Sequence, residues 1–343
     1  MSNKPKVLFL DIAHPILNEK LQELNYECIH YTDLEYIPVD EIIHEYHGIV
    51  LRSKIKLDAN ILSKATQLKF IARAGAGMES IDVKFAESKG IACLSAPEGN
   101  RDAVADHALG MILSLFKNIP SADTEVRRGI WQRESNRGIE LTGKTVGIIG
   151  YGFTGTAIAK RLQGFDVKVY AYDKYKTGFS NEHIKESTLD EVFEKTDILS
   201  LHLPLTNETH YMIDDAFINK FKKDIYLINT SRGKVVKTAD LVKNLKSGKV
   251  KGACLDVLEY ESTSFSRLKG LGMWTNKRGL LINRLGAWLM KNGLWLYLHP
   301  VQYLVKCNNV LMSPHIAGWS FESYKKISLI LAERIKELQD PSN

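Results

Sequence analysis

Residues 145–162 admit few folds. Thr145-Val146-Gly147-Ile148-Ile149 is an unbroken apolar run of strand length. Gly150-Tyr151-Gly152-Phe153-Thr154-Gly155 follows at once, and Thr156–Leu162 is good helix sequence. A strand that enters a helix through three spaced glycines uses the first for a tight turn and the second to let a ligand reach the backbone. The third lets helix and strand pack closely, and the free N–H groups at the helix start face an anion. Glycines at this spacing are common by themselves, but here strand, loop and helix stand in order. The next strand ends at Asp173, 23 residues beyond Gly150, near the ~20 expected of an acid that holds an adenosine ribose. The segment therefore reads as a dinucleotide site, with Gly150, Gly152, Phe153, Thr154 and Gly155 at the phosphates and Asp173 at the ribose. Asp173 would repel a 2′-phosphate, which favours NAD over NADP; Lys174 beside it works the other way.

The rest of the chain alternates in the same manner. Short apolar runs at Val7–Leu10, Gly48–Leu51 and Phe70–Ala74 are expected strands. Leu17–Leu24, Ala59–Leu68 and Val83–Lys89 are expected helices. A second series runs through Thr145–Ile149, Val167–Tyr172, Ile198–Leu203, Tyr226–Asn229 and Gly252–Leu255, and Ser320–Leu338 reads as a terminal amphipathic helix. Such alternation implies parallel strands with helical crossovers, and 343 residues suit two domains. Asn100 offers an N-cap for a helix over Ala103–Phe116. That helix is apolar on nearly every face, so it is expected to be buried, partly at a subunit contact of a homodimer.

The formal charge of +6 raises the question of nucleic acid, but its distribution argues against it. Between Ser262 and Phe321 stand Arg267, Lys269, Lys277, Arg278, Arg284, Lys291 and Lys306 with no acidic residue; without these seven the chain is near neutral. No binding module carries a basic stripe, so no nucleic-acid partner is expected. No apolar stretch reaches the ~18 residues of a membrane span, and the N-terminus lacks a secretory signal. Cys28, Cys93, Cys254 and Cys307 lie far apart with no CxxC pair. That fits core residues in a reducing cytoplasm better than a metal site. Residues 262–300 hold Trp274, Trp288 and Trp295 and lack caps or a sustained period. They read either as a surface insertion on the nucleotide domain or as a foreign, frame-shifted stretch that packs poorly.

Oxidising a hydroxy acid requires a base for the hydroxyl proton, a cation for the carboxylate and the developing carbonyl, and a group that tunes the base. By itself, His315 in Ser313-Pro314-His315 reads more readily as a structural loop histidine. The ordered set of motifs changes that. It comprises Ala72-Arg73-Ala74-Gly75-Ala76-Gly77-Met78-Glu79-Ser80-Ile81-Asp82, Asn100 with Ala103–Ala108, and Trp131 with Leu141-Thr142-Gly143-Lys144. The glycine loop follows, then His202-Leu203-Pro204, Asn229-Thr230-Ser231-Arg232-Gly233, Leu255-Asp256-Val257 and Ser313-Pro314-His315. Over about 45–260 and 305–340 the chain resembles the D-isomer-specific 2-hydroxyacid dehydrogenase family, its phosphoglycerate dehydrogenase branch most closely.

The resemblance implies an α/β protein with a Rossmann-type NAD-binding domain, 100–314, inserted into a split flavodoxin-like substrate domain, 1–99 and 315–343. It implies that Arg232 binds the substrate carboxylate and keto oxygen. His315 would be the acid/base and Glu261 its paired acid. His202, Pro204 and Thr230 would join the glycine loop in holding NAD, and Asp256 would orient the nicotinamide. The backbone of Arg73, Ala74, Gly75, Ala76 and Gly77 would cradle the carboxylate. Arg52 and Arg73 either meet a substrate phosphate or are solvated loop arginines. The implied substrate is 3-phospho-D-glycerate, in serine biosynthesis, in a short form without a regulatory domain. Ser262 stands where the family carries proline after the acid, and the stretch to His315 is longer than the family's. Two other readings compete: an NAD-binding regulatory or scaffold protein, and an inactive copy of the dehydrogenase.

Overall fold

A computed structural model describes residues 4–31, 38–261 and 300–339. The chain forms two compact units, residues 1–103 with 318–343, and residues 104–317. Residues 262–299, nearly all of the basic tryptophan-rich segment, lie outside the described residues.

In the first unit, strands β1 (Lys6–Phe9), β2 (Glu27–His30), β3 (Gly48–Leu51), β4 (Phe70–Arg73) and β5 (Ala92–Leu94) form a parallel sheet in the order β2-β1-β3-β4-β5. This is the flavodoxin-like order. Alternation within the strands divides the core. Val7, Phe9, Val50, Phe70 and Ala72 meet Leu17 and Leu21 of helix α1 (Pro15–Glu23) and Ile327, Leu331 and Ile335 of the terminal helix. Leu8, Ile49, Leu51 and Ile71 face the other way. They pack on residues of the short helices α2 (Val39–Ile42), α3 (Ala59–Leu62) and α4 (Val83–Ser88). The helix expected over Ala59–Leu68 closes after one turn: Leu62 and Leu68 both enter this core, and the chain between them turns back.

The second unit opens with most of helix α5 (Pro97–Phe116) and continues through α6 (Ile119–Arg127). There follow β6 (Thr145–Ile149), α7 (Phe153–Leu162), β7 (Lys168–Tyr172), β8 (Ile184–Glu186), α8 (Leu189–Lys195), β9 (Ile198–Leu201) and α9 (Asp215–Ile218). The unit closes with β10 (Ile225–Asn229), α10 (Thr238–Ser247), β11 (Val250–Leu255), α11 (Pro300–Lys306) and β12 (Val310–Met312). Its seven described strands are parallel, in the order β12-β11-β10-β9-β6-β7-β8. The chain winds outward in both directions from β6, so the switch point lies between β6 and β9, where open α/β sheets bind ligands at their carboxyl edge. The last helix, α12 (Phe321–Glu337), returns to the first unit and is capped by Ser320.

One expectation needs correction. Helix α5 begins at Pro97, not after Asn100: proline fits a first helical turn because its missing N–H would have no partner there, and Asn100 lies inside the helix. The helix is buried, as its apolar faces predict. Ala105, Ala108, Met111, Ile112 and Phe116 pack on Val146, Ile148 and Ile228 of the sheet. Exposed apolar side chains cluster instead just beyond it, at Ile119, Val126, Ile130, Trp131 and Ile139, and α6 buries none of its residues.

Candidate functional site

The residues singled out in the second unit stand at the carboxyl ends of its strands. The glycine loop follows β6, Asp173 follows β7, His202 follows β9, Thr230 and Arg232 follow β10, Asp256 follows β11 and His315 follows β12. Arg52 and Arg73–Gly77 belong to the first unit, at the ends of β3 and β4.

Gly150 has φ +93°, a backbone that disfavours any side chain, and a Cβ there would collide with the His202 carbonyl. A Cβ at Gly155 would collide with the carbonyl of Gly150, while Gly152 opens onto free space at the start of α7. Two polar atoms nearby are buried without a hydrogen-bond partner among the described residues, Thr230 Oγ1 and His202 Nδ1. The other ring nitrogen of His202, Nε2, lies 2.8 Å from Ser200 Oγ. Burial lowers the His202 pKa to about 4, so the ring is neutral near pH 7. Such unpaired groups beside a glycine turn fit a dinucleotide that completes their hydrogen bonds.

Asp173 is more committed than the sequence suggests. Its carboxylate accepts the amides of Tyr151 at 2.7 Å, Tyr175 at 2.9 Å and Lys176 at 3.0 Å. Of its roughly four acceptor positions, three hold the loop and one is left for a ribose hydroxyl. Lys174 turns to Glu208, 2.6 Å away, so the neighbouring cation is paired elsewhere. We expect NADP to bind on the order of a hundredfold more weakly than NAD, because like charges in contact cost several kcal/mol. Fluorescence titration with both nucleotides measures this, and equal dissociation constants would contradict it.

Asn229, buried at the end of β10, shapes the turn that carries Arg232. Its Oδ1 accepts the Ser231 amide at 3.0 Å and the Ser231 hydroxyl at 2.8 Å, and its Nδ2 donates to the Arg232 carbonyl at 3.0 Å. Next in the turn, Gly233 lies so close to Leu258 that a Cβ would strike the Leu258 carbonyl. The loops after β10 and β11 therefore pack backbone to backbone. Glu259 ties them further, accepting from Tyr211 Oη at 2.6 Å and the Thr238 amide at 2.9 Å.

His315 and Glu261 come together despite the long segment between them in sequence. His315 Nδ1 lies 2.7 Å from Glu261 Oε2, and Glu261 Oε1 accepts the Leu258 amide at 2.7 Å, which fixes the carboxylate. The hydrogen bond to Glu261 raises the His315 pKa above its ordinary value; partial burial and Arg232 oppose the shift, and the charges of Glu261 and Asp256 favour it. With Nδ1 engaged, Nε2 is the ring nitrogen left for another partner. The imidazole is half exposed.

Asp256 is buried and its carboxylate is occupied by the loop that bears His315. Oδ1 accepts the Ile316 amide at 2.9 Å and the Ser313 hydroxyl at 2.6 Å, and Oδ2 accepts the Ala317 amide at 2.8 Å. Its geometry is that of a loop anchor as much as of a nicotinamide contact. In the first unit, Ala74 and Gly75 donate their amides to Leu51 and Arg73, each at 2.8 Å. The Asp11 carboxylate accepts the amides of Arg52, Ser53 and Lys54 at 2.6–3.1 Å, and the Arg52 guanidinium lies 4.0 Å over the Trp319 ring. The sequence reading did not single out Ser313, His107 or Glu259. The first two stood inside its motifs, but only the folded contacts reveal what they touch.

Among the described residues no group of His, Cys, Asp and Glu is arranged to hold a metal ion, and no helix is long and apolar enough to cross a membrane. The family model described as "D-isomer specific 2-hydroxyacid dehydrogenase, NAD binding domain" matches residues 109–317. The chain is 32% identical to D-3-phosphoglycerate dehydrogenase of Archaeoglobus fulgidus over 329 residues, which are 94% of this chain but 56% of that protein. It is 34% identical to hydroxypyruvate reductase of Thermotoga maritima, covering 95% of this chain and 97% of the relative. A crystal structure of D-lactate dehydrogenase from Aquifex aeolicus complexed with NAD and lactic acid superposes with a TM-score of 0.76 at 29% identity, over 97% of this chain and 95% of that one.

Proposed function

The chain belongs to the D-isomer-specific 2-hydroxyacid dehydrogenase family, and on that premise we propose that it interconverts a D-2-hydroxy acid and its 2-keto acid with NAD. The observation that carries the reading is the His315–Glu261 pair, 2.7 Å apart, at the sheet edge that also bears Arg232. NAD, held by the glycine loop, Asp173, His202, Pro204, Thr230 and Asp256, supplies the hydride acceptor when bound. Arg232 grips the substrate carboxylate and draws electron density from the keto oxygen. In reduction His315 gives its Nε2 proton to that oxygen, and in oxidation it takes the proton back. Glu261 stabilises the imidazolium in both directions.

The leading substrate is 3-phospho-D-glycerate. Arg52 and Arg73 supply positive charge in the substrate unit, and Arg52 is fixed by its Asp11-held loop and the Trp319 ring. A hydrogen bond to a charged group contributes about 1.5–3 kcal/mol. Arg52→Ala should therefore lower kcat/KM for 3-phosphohydroxypyruvate roughly tenfold or more and leave hydroxypyruvate nearly unaffected. Equal losses on both would point to a substrate without the phosphate, as the name of the Thermotoga relative suggests.

The protein is a homodimer in this reading, joined through Ile119, Val126, Ile130, Trp131 and Ile139 of the nucleotide unit, an apolar run exposed in the single chain. Light scattering should give twice the mass of the 343-residue chain, and Trp131→Glu should weaken the association. A monomer at micromolar concentration would contradict it. We place it in the cytoplasm because its four cysteines are free thiols.

A further inference from the structure

His315 has φ +56°, a region that non-glycine residues occupy only when their surroundings hold them there. Contacts on both sides of the residue do so. Its own amide donates to the Asp256 carbonyl at 2.8 Å and the Ser313 carbonyl at 3.0 Å. The next two amides, Ile316 and Ala317, are taken by the two oxygens of the Asp256 carboxylate at 2.9 and 2.8 Å. The direction of the His315 ring therefore follows from the orientation of one buried carboxylate.

That carboxylate is held in turn from behind. Both of its oxygens already accept amide hydrogens, so the Ser313 hydroxyl, 2.6 Å from Oδ1, donates to it. A hydroxyl has one hydrogen to give. The contact between Ser313 Oγ and His107 Nε2, at 2.8 Å, must therefore run the other way, with Nε2 carrying the proton. His107 Nε2 also lies 3.5 Å from Asp256 Oδ1. The result is a directed chain from His107 through Ser313 to Asp256, from helix α5 to the loop after β12.

We propose that His107 and Ser313 are positioning residues of the acid/base group: by fixing the rotation of the Asp256 carboxylate they hold the 313–317 loop so that His315 Nδ1 meets Glu261. The inference rests on the reading of His315 as the proton donor. It goes further by assigning the placement of that group to a histidine on a different element and fixing that histidine's tautomer. Neither residue need touch substrate or cofactor.

The test compares Ser313→Ala, His107→Phe and His107→Gln in the full chain. The readout is the NMR titration of the His315 ring, identified by its disappearance in His315→Asn. Among the described residues the charged groups acting on that ring are Glu261, Asp256 and Arg232, all unchanged in these variants. If the chain of bonds positions His315, Ser313→Ala and His107→Phe loosen its pairing with Glu261. Its midpoint then falls toward the ordinary ~6.5 of histidine. His107→Gln, which keeps a donor in the same place, should retain the wild-type midpoint. In keto-acid reduction, kcat should fall about tenfold in the first two variants, since a displacement of ~1 Å at the reacting centre can cost a hundredfold, and the KM for NADH should not move. Midpoints identical to wild type in a folded Ser313→Ala or His107→Phe would overturn the proposal, and Ser313→Ala alone decides it if His107→Phe does not fold. A wild-type protein that turns over no 2-keto acid would refute the proposed function, while the NMR comparison would still decide this inference.

Discussion

His315→Asn should lower kcat for 2-keto acid reduction by about a thousandfold while leaving NADH binding intact. General acid catalysis contributes 10²- to 10⁴-fold, and asparagine keeps a polar group without a transferable proton. The pH dependence follows from the direction of the shift. Glu261 raises the His315 pKa, so the imidazolium that reduction requires persists to higher pH than an ordinary histidine allows, and the reduction rate falls only as pH passes that raised value. Oxidation requires the neutral ring and rises over the same interval. Glu261→Gln keeps a hydrogen-bonding group but removes the charge, so both limbs should move to lower pH, with a lower kcat for reduction at neutral pH. Profiles of kcat/KM in both directions measure this. Limbs that stay in place would show that Glu261 does not tune His315.

Arg232→Ala should lower kcat/KM by about a thousandfold, with losses in both terms. A guanidinium presents a fixed fork to a carboxylate, so its loss raises KM. Where it also faces the keto oxygen it strengthens as negative charge develops there, and removing one such donor costs roughly 10²–10³ in kcat. Arg232→Lys keeps the charge but not the fork and should recover only part of the loss. The buried Asn229 fixes the turn that carries Arg232, and Gly233 brings that turn against the loop leading to Glu261. A change in KM alone would limit Arg232 to holding the carboxylate.

The legibility of the fold followed burial. Strands covered on both faces must be apolar throughout, and the eight interior strands, such as Gly48–Leu51 and Ile198–Leu201, are plain in the sequence. The four that escaped it, Glu27–His30, Ala92–Leu94, Ile184–Glu186 and Val310–Met312, are the edges of the two sheets. An edge strand is short and partly solvated, so Glu27 and His30 interrupt the apolar signal that marks an interior strand. Arg232 and His315 became candidates through the motifs around them, and both stand at strand ends. Contacts between distant segments were not legible. Nothing in the sequence connects His107 to Ser313, and Asp173 gives no sign that three backbone amides claim it. Helix α5 is buried as its apolar faces predict, but its start at Pro97 was missed because Asn100 looked like a cap.

The most direct measurement is the rate of NADH formation by the purified full chain with NAD and a panel of D- and L-2-hydroxy acids, 3-phospho-D-glycerate among them, repeated with His315→Asn. Turnover of D-acids only, fastest with 3-phospho-D-glycerate, is expected, with its near-complete loss in the variant. No turnover of any 2-hydroxy acid, or equal turnover in wild type and variant, would contradict it.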